Sequence, residues 1–410
     1  MLKNYFKIAI AVLKRRKFFT FISLFGISLT LTILTIATSY ADKVLSPDYP
    51  DYKRDRSLYI DRMEFKNSKE GWMNSNNVSY YFLDHYVSKL KNIHKLAISS
   101  TPRSSNAYIR NTKLVIEYKY TNDEFWEVLE YNFLEGKAFS KKEIAKAELV
   151  AVISKETKEE YFGDEKSVVG KYISADNINY RVIGVVDNVS KTLGDLAADM
   201  YLPFTLSRNI SQTELMGSFT GILLAKDESS VPAMKAEFNA MVKKLPLPSK
   251  EYDLLYCNAD SHFERFTRGV RGDSTNAGTI AVVSFSGFLL LLFLLLPTIN
   301  LVNINITRIM ERSSEIGVRK AFGASSNTLV YQFLVENLIL TFLGALLGLF
   351  FSAIAISVIN GANLVANMEL SINFSVLFYS IIACLFFGLI SGVYPAWVMS
   401  KVNVVKALKG

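Results

Sequence analysis

The residues with the most specific arrangement are Glu315, Gly317, Arg319, Lys320, Ala321, Phe322 and Gly323. Two glycines bracket two cations and one large aromatic, in a piece the length of a short helix. The set holds no nucleophile beside a base, so the chemistry it can do is recognition: a compact charged grip for a partner. A plain connector needs fewer features. The usual catalytic groups are scattered. His85, His94 and His262 lie in no HExxH, and neither CxxC nor GxSxG occurs. There is no GxxxxGK[ST] phosphate loop. Gly163 to Lys171 has the wrong spacing and is followed by Tyr172. The expectation is a chain that is not an enzyme and carries no metal and no cofactor of its own.

The elements that position this segment are apolar. Half of the 410 residues are hydrophobic, more than an ordinary soluble domain of this size carries. No Asp, Glu, Lys or Arg occurs from Phe18 to Ala41, from Ser274 to Thr307, from Asn337 to Met368 or from Leu370 to Ser400. Each run exceeds the roughly 20 residues that cross a bilayer core of about 30 Å. The expected fold class is therefore a helical membrane protein with four transmembrane helices and a large α+β extracytoplasmic domain between the first two. The first run, at 24 residues, is longer than the h-region of a cleaved signal, about 7–15 residues. It reads as an anchor.

Charge orients the spans. Residues 1–17 carry six Lys/Arg and no acid, and the loop after the second run carries Arg308, Arg312, Arg319 and Lys320. Both termini and this loop are expected in the cytoplasm. The segment 42–273 then lies outside; its 33 basic and 34 acidic residues net −1, against +8 for the whole chain. The basic excess reflects membrane topology, and no nucleic-acid partner is implied. Cys257, outside, and Cys384, in the last run, form no disulfide framework.

The expected order is an amphipathic helix over 1–17, a first span over 18–41, the extracytoplasmic domain over 42–273, and a second span with a stalk over 274–307. A cytoplasmic loop over 308–336, a third span over 337–360, a short outer loop over 361–372, a fourth span over 373–400 and a tail over 401–410 complete it. Pro297 is expected to kink the second long helix. Gly344 and Gly348 in the third span, and Gly388 and Gly392 in the fourth, have the four-residue spacing that lets membrane helices approach closely. In the outer domain, Leu114 to Tyr118, Leu149 to Ile153, Tyr180 to Val186 and Gly221 to Ala225 read as strands. Tyr80 to Leu90, Asn122 to Tyr131, Lys155 to Tyr161 and Pro232 to Lys244 read as helices. Gly163 and Gly184 suit turns or bulges, and Pro203 suits the end of a ladder at an edge.

The stretch from Glu311 to Ala324, ERSSEIGVRKAFGA, resembles the "ER..EIG.R+A.GA" segment of ABC-transporter permeases of the MacB/FtsX type. Phe133 to Phe139, Val150 to Ser154, Tyr161 to Gly163, Val169 to Lys171, Val182 to Val186 and Tyr201 to Pro203 follow the order of that family's periplasmic core. Gly392, Tyr394, Pro395, Ala396, Ser400, Lys401, Ala407 and Leu408 resemble its closing pattern; Val404 departs from it, where the family usually has proline.

The resemblance implies that Glu315, Gly317, Arg319, Lys320, Ala321, Phe322 and Gly323 form a coupling helix for an ATPase. With no phosphate loop here, ATP and Mg are expected in a separate cytoplasmic ABC ATPase subunit. The family also implies the bacterial inner membrane, a homodimer or a pairing with a related permease, and mechanotransmission that drives efflux of peptides, antibiotics or other envelope substrates. Efflux would add a periplasmic adaptor and an outer-membrane channel. The alternatives are lipoprotein release and control of a cell-wall hydrolase. A rival of another class, a membrane-anchored ectodomain enzyme or sensor, predicts a catalytic motif outside the membrane. A secondary transporter would keep ionisable groups within the bilayer, and the four runs have none.

Overall fold

A computed structural model of the chain describes residues 17–109, 112–190, 196–208, 210–271, 277–311, 326–362 and 369–375, with a few scattered residues besides. The chain divides into two units: 1–43 with 283–365 and 369–410, and 44–282 with 366–368.

The helical unit is built on three long elements: α1 (Lys17–Leu45), which runs on into the second unit, α8 (Ala277–Glu311), which begins there, and α9 (Ser326–Gly361). Among the described residues, two helices are long and apolar enough to cross a membrane, Lys17–Leu45 and Leu334–Gly361. At 35 residues, α8 would span roughly 50 Å, and the helix continues across Pro297. Small residues set how α1 meets α9. A side chain at Gly344 would come within 2.7 Å of Ile27, and one at Gly348 within 2.8 Å of Leu31. Thr32 Oγ1 donates to the Gly348 carbonyl at 3.2 Å. Ile27, Leu31 and Ala345 are buried there, with Ile381 against them.

The second unit is an α+β domain on one mixed sheet of 14 strands. These are β1 (Ser57–Ile60), β2 (Arg62–Lys66), β3 (Met73–Val78), β4 (Lys95–Ser100), β5 (Arg103–Ile109), β6 (Thr112–Thr121) and β7 (Phe133–Gly136). The rest are β8 (Val150–Ser154), β9 (Tyr172–Ala175), β10 (Ile178–Val186), β11 (Met200–Pro203), β12 (Met216–Gly217), β13 (Phe219–Leu224) and β14 (Leu254–Cys257). The path runs β14-β2-β3-β13-β4-β6-β11-β8-β10-β7, with β1 on β13, β12 on β3, β5 on β6 and β9 on β10. The pairs β8–β10 and β6–β11 are parallel, and such pairs need crossovers. Helices α2 (Tyr80–His85), α3 (Glu124–Val128), α4 (Lys141–Ala145), α5 (Lys155–Phe162) and α6 (Val231–Val242) lie among the connections; α5 follows β8 directly, capped by the Ser154 hydroxyl. The last helix of the unit, α7 (His262–Arg271), precedes α8.

Each expected strand and helix of the outer domain has a counterpart, with three adjustments. The helix expected over Tyr80–Leu90 ends at His85 and gives way to a 3-10 turn over Val87–Lys89. The helix expected over Asn122–Tyr131 ends at Val128, because Leu129 turns extended and joins the buried aromatic core. Pro203 ends β11, which lies between β6 and β8 and is therefore interior, not an edge. One glycine pair is structural: Gly136 (φ +64°) is the register partner of Gly184, and a Cβ at Gly136 would sit 2.0 Å from the Ile183 carbonyl oxygen. The strand β10 shifts register between Val182 and Gly184, a bulge where the sequence suggested one.

Candidate transmission site

The last carbonyls of a helix have no partner within the helix. At the end of α1, the Val44 carbonyl is taken by side chains of the sheet domain. Arg54 Nη1 donates to the Val44 carbonyl at 3.0 Å and to the Ser46 carbonyl at 2.6 Å. His262, the first residue of α7, approaches the same Val44 oxygen with Nε2 at 3.0 Å. A carbonyl only accepts, so His262 presents Nε2–H to it. One oxygen at the end of α1 is thus held by two residues 208 positions apart in the chain.

Arg54 is fixed by Asp51, whose Oδ2 accepts from Nε at 3.1 Å. Asp51 also accepts from the Tyr59 hydroxyl at 2.5 Å. Asp51 is 0% exposed and Arg54 3%, so the two charges depend on one another inside the protein. Tyr59 packs edge-on to His262 at 5.7 Å, and the Arg265 guanidinium lies 5.1 Å from the Tyr59 ring centre. Burial and the Asp51 carboxylate push the Tyr59 hydroxyl well above its ordinary pKa. Burial, with the neighbouring Arg54 charge, lowers His262 to about 4, which keeps it neutral near pH 7. The rest of α7 is tied inward as well: Arg265 pairs with Asp61, Arg268 with Asp260 at 2.7 Å, and Glu264 with Lys235 at 2.6 Å.

The segment after α1 is also anchored on the other side. Glu130 N donates to the Pro50 carbonyl at 2.8 Å, Lys53 Nζ to the Glu127 carbonyl at 2.7 Å, and the Tyr49 hydroxyl to the Asp187 carbonyl at 3.1 Å. These carry it onto an aromatic core in which Phe125, Phe139 and Tyr201 are almost wholly buried. Each such side chain contributes on the order of 2 kcal/mol. What the arrangement does is hold: the end of α1 is bonded to Arg54 and to the first residue of α7.

Of the sequence-derived site residues, Gly344 and Gly348 lie against α1, and Pro297 lies inside α8. Glu315, Gly317, Arg319, Lys320, Ala321, Phe322, Gly323, Gly388 and Gly392 lie outside the described residues. The clasp of Asp51, Arg54, Tyr59 and His262 escapes sequence reasoning. The acid and base three apart just beyond an apolar run give a weak local signal for Asp51 and Arg54. No local signal marks His262, since its partner is 218 residues away.

Residues 20–241 match the family described as the MacB-like periplasmic core domain, and residues 287–404 match the FtsX-like permease C-terminal family. The macrolide export ATP-binding/permease protein MacB of Campylobacter jejuni is 25% identical over 281 residues, covering 67% of this chain and 41% of that one. The pyoverdine export ATP-binding/permease protein PvdT of Pseudomonas syringae is 28% identical over 288 residues, covering 69% and 41%. The ABC transporter permease YknZ of Bacillus subtilis, itself uncharacterized, is 24% identical over 331 residues, covering 80% and 79%. The matched part spans about two-fifths of the ATP-binding/permease relatives.

Proposed function

The chain belongs to the MacB-like, FtsX-type family of ABC-transporter permeases, and on that premise we propose that it couples ATP hydrolysis in a separate cytoplasmic ATPase to movement of its extracytoplasmic domain. In this reading the chain has four spans and both termini in the cytoplasm, and pairs with a second copy or a related permease. The segment carrying Glu315, Gly317, Arg319, Lys320, Ala321, Phe322 and Gly323 docks into the ATPase, where ATP and Mg are bound. The cargo is an envelope substrate moved outward, with an adaptor and an outer-membrane channel completing the path. Relatives named for macrolide and pyoverdine export support export over lipoprotein release or hydrolase control.

The observation that carries the mechanical part is the double hold on the Val44 carbonyl by Arg54 and His262. A permease that only shaped a pore would have no need to join the end of its first long helix to the helix preceding the second. The test is purification in mild detergent with the candidate ATPase. The double charge reversal Arg319→Glu/Lys320→Glu is expected to abolish retention and stimulation of the ATPase. Retention and stimulation at wild-type level would remove the coupling assignment.

A further inference from the structure

We propose that α7 is an interfacial helix that rests Phe263 and Phe266 in the outer leaflet's headgroup region, so that the clasp at the end of α1 works at the bilayer surface. The partner is the lipid surface, and the inference rests on reading α1 as a membrane span.

Depth comes first. The charge-free run of α1 ends at Ala41, and Val44 is three residues further, about 4.5 Å along a helix. His262 Nε2 touches the Val44 oxygen at 3.0 Å. The first residue of α7 therefore touches α1 about one helical turn beyond the end of that run. At its other end, five residues separate Arg271 from Ala277, where α8 begins.

The faces of α7 come second. Three of its charged residues pair with the rest of the domain: Arg265 with Asp61, beside the Tyr59 ring, Arg268 with Asp260, and Glu264 with Lys235. Thr267 is 0% exposed and shares a 2.7 Å hydrogen bond with Thr279. Phe263 and Phe266 are instead 38% and 44% exposed. Three residues apart, they lie on one face of the helix. Leaving the exposed part of both rings in water forgoes the gain of burying that apolar area. A helix that is polar toward its protein and aromatic away from it, at this depth, has the design of a surface-lying amphipathic helix. Tyrosine and tryptophan favour this zone, and Tyr52, on the segment that Arg54 holds, is exposed.

The experiment uses the full chain in lipid nanodiscs, with Cys257→Ala and Cys384→Ala as background. A nitroxide is attached to Phe263→Cys or Phe266→Cys, with Phe25→Cys on α1 and Tyr172→Cys on β9 as references, and collisions with oxygen and with the water-soluble relaxant NiEDDA are measured. Oxygen collisions are expected to dominate at 263, 266 and 25, with 263 and 266 shallower than 25, and NiEDDA collisions at 172. Dominant NiEDDA collisions at 263 and 266 overturn the proposal while leaving the span reading intact. Dominant NiEDDA collisions at 25 overturn the span reading itself. Low collisions with both reagents at 263 and 266 mean that protein covers the face, which also overturns the lipid assignment. Phe266→p-benzoylphenylalanine, which keeps a large aromatic, gives an independent check. Photo-adducts with phospholipid support the proposal, and adducts of twice the chain mass assign the face to a second copy instead.

Discussion

Replacing Arg54 with methionine tests the clasp where its energetics are most asymmetric. The substitution removes the hydrogen bonds to the Val44 and Ser46 carbonyls and leaves the Asp51 carboxylate, 0% exposed, without its cation. Breaking a buried pair by removing one partner costs about 3–5 kcal/mol, most of it from the charge left behind. For a domain of this size, each kcal/mol shifts Tm by roughly 2–4 °C, so the fall is on the order of 10 °C. Adding Asp51→Asn removes the stranded charge while keeping an acceptor for the Tyr59 hydroxyl, and is expected to recover at least half of the loss. Thermal unfolding of the full chain in detergent, followed by intrinsic fluorescence, reads both effects. A negligible shift for Arg54→Met, or a double variant no more stable than the single, would refute the view of Asp51 and Arg54 as one buried unit.

Other expectations follow from named contacts. Gly136→Val puts a Cβ against the Ile183 carbonyl at a positive φ and is expected to cost more than about 3 kcal/mol, seen as loss of folded protein on expression. Gly348→Leu, facing Leu31 and Ser28, is expected to separate α1 from α9 and raise proteolysis of the detergent-solubilised chain, while Gly361→Leu, facing open space, leaves it unchanged. His262 has a folded pKa of about 4, below its ordinary 6.5. Its unfolded form therefore binds the proton first, and stability falls as pH drops from 6.5 toward 4. After screening, that loss is about 1–2 kcal/mol. Glu135, Glu237 and Glu264, held below the usual glutamate range by lysine and backbone partners, add their loss only at lower pH. Urea titrations at pH 7 and pH 5 are expected to differ less for His262→Gln than for the wild type.

Legibility followed the range of the physics. Where the signal is local, the sequence carried it: the β-branched runs at Val150–Ser154 and Ile178–Val186 are strands, and Pro232 sits in the first turn of its helix. The glycines at 136 and 184 were readable as motif positions, but not that each needs the other bare, because that depends on a pairing 48 residues apart. The strand Met73–Val78 is an asparagine-rich stretch held by its neighbours β2, β12 and β13, so its own composition gives little sign of a strand. The same reason hid His262, which as a lone histidine in sequence has no chemistry until the fold brings Val44 and Arg54 to it.

The central claim is that nucleotide in a cytoplasmic partner moves the domain outside the membrane. It is tested most directly by double electron–electron resonance on the full permease–ATPase complex in nanodiscs, with spin labels at Tyr172→Cys of paired subunits. ATP with vanadate is expected to shift the distance distribution, and Arg319→Glu/Lys320→Glu to abolish that shift. Identical distributions with and without nucleotide, in a complex whose ATPase is shown to be occupied, would contradict the account.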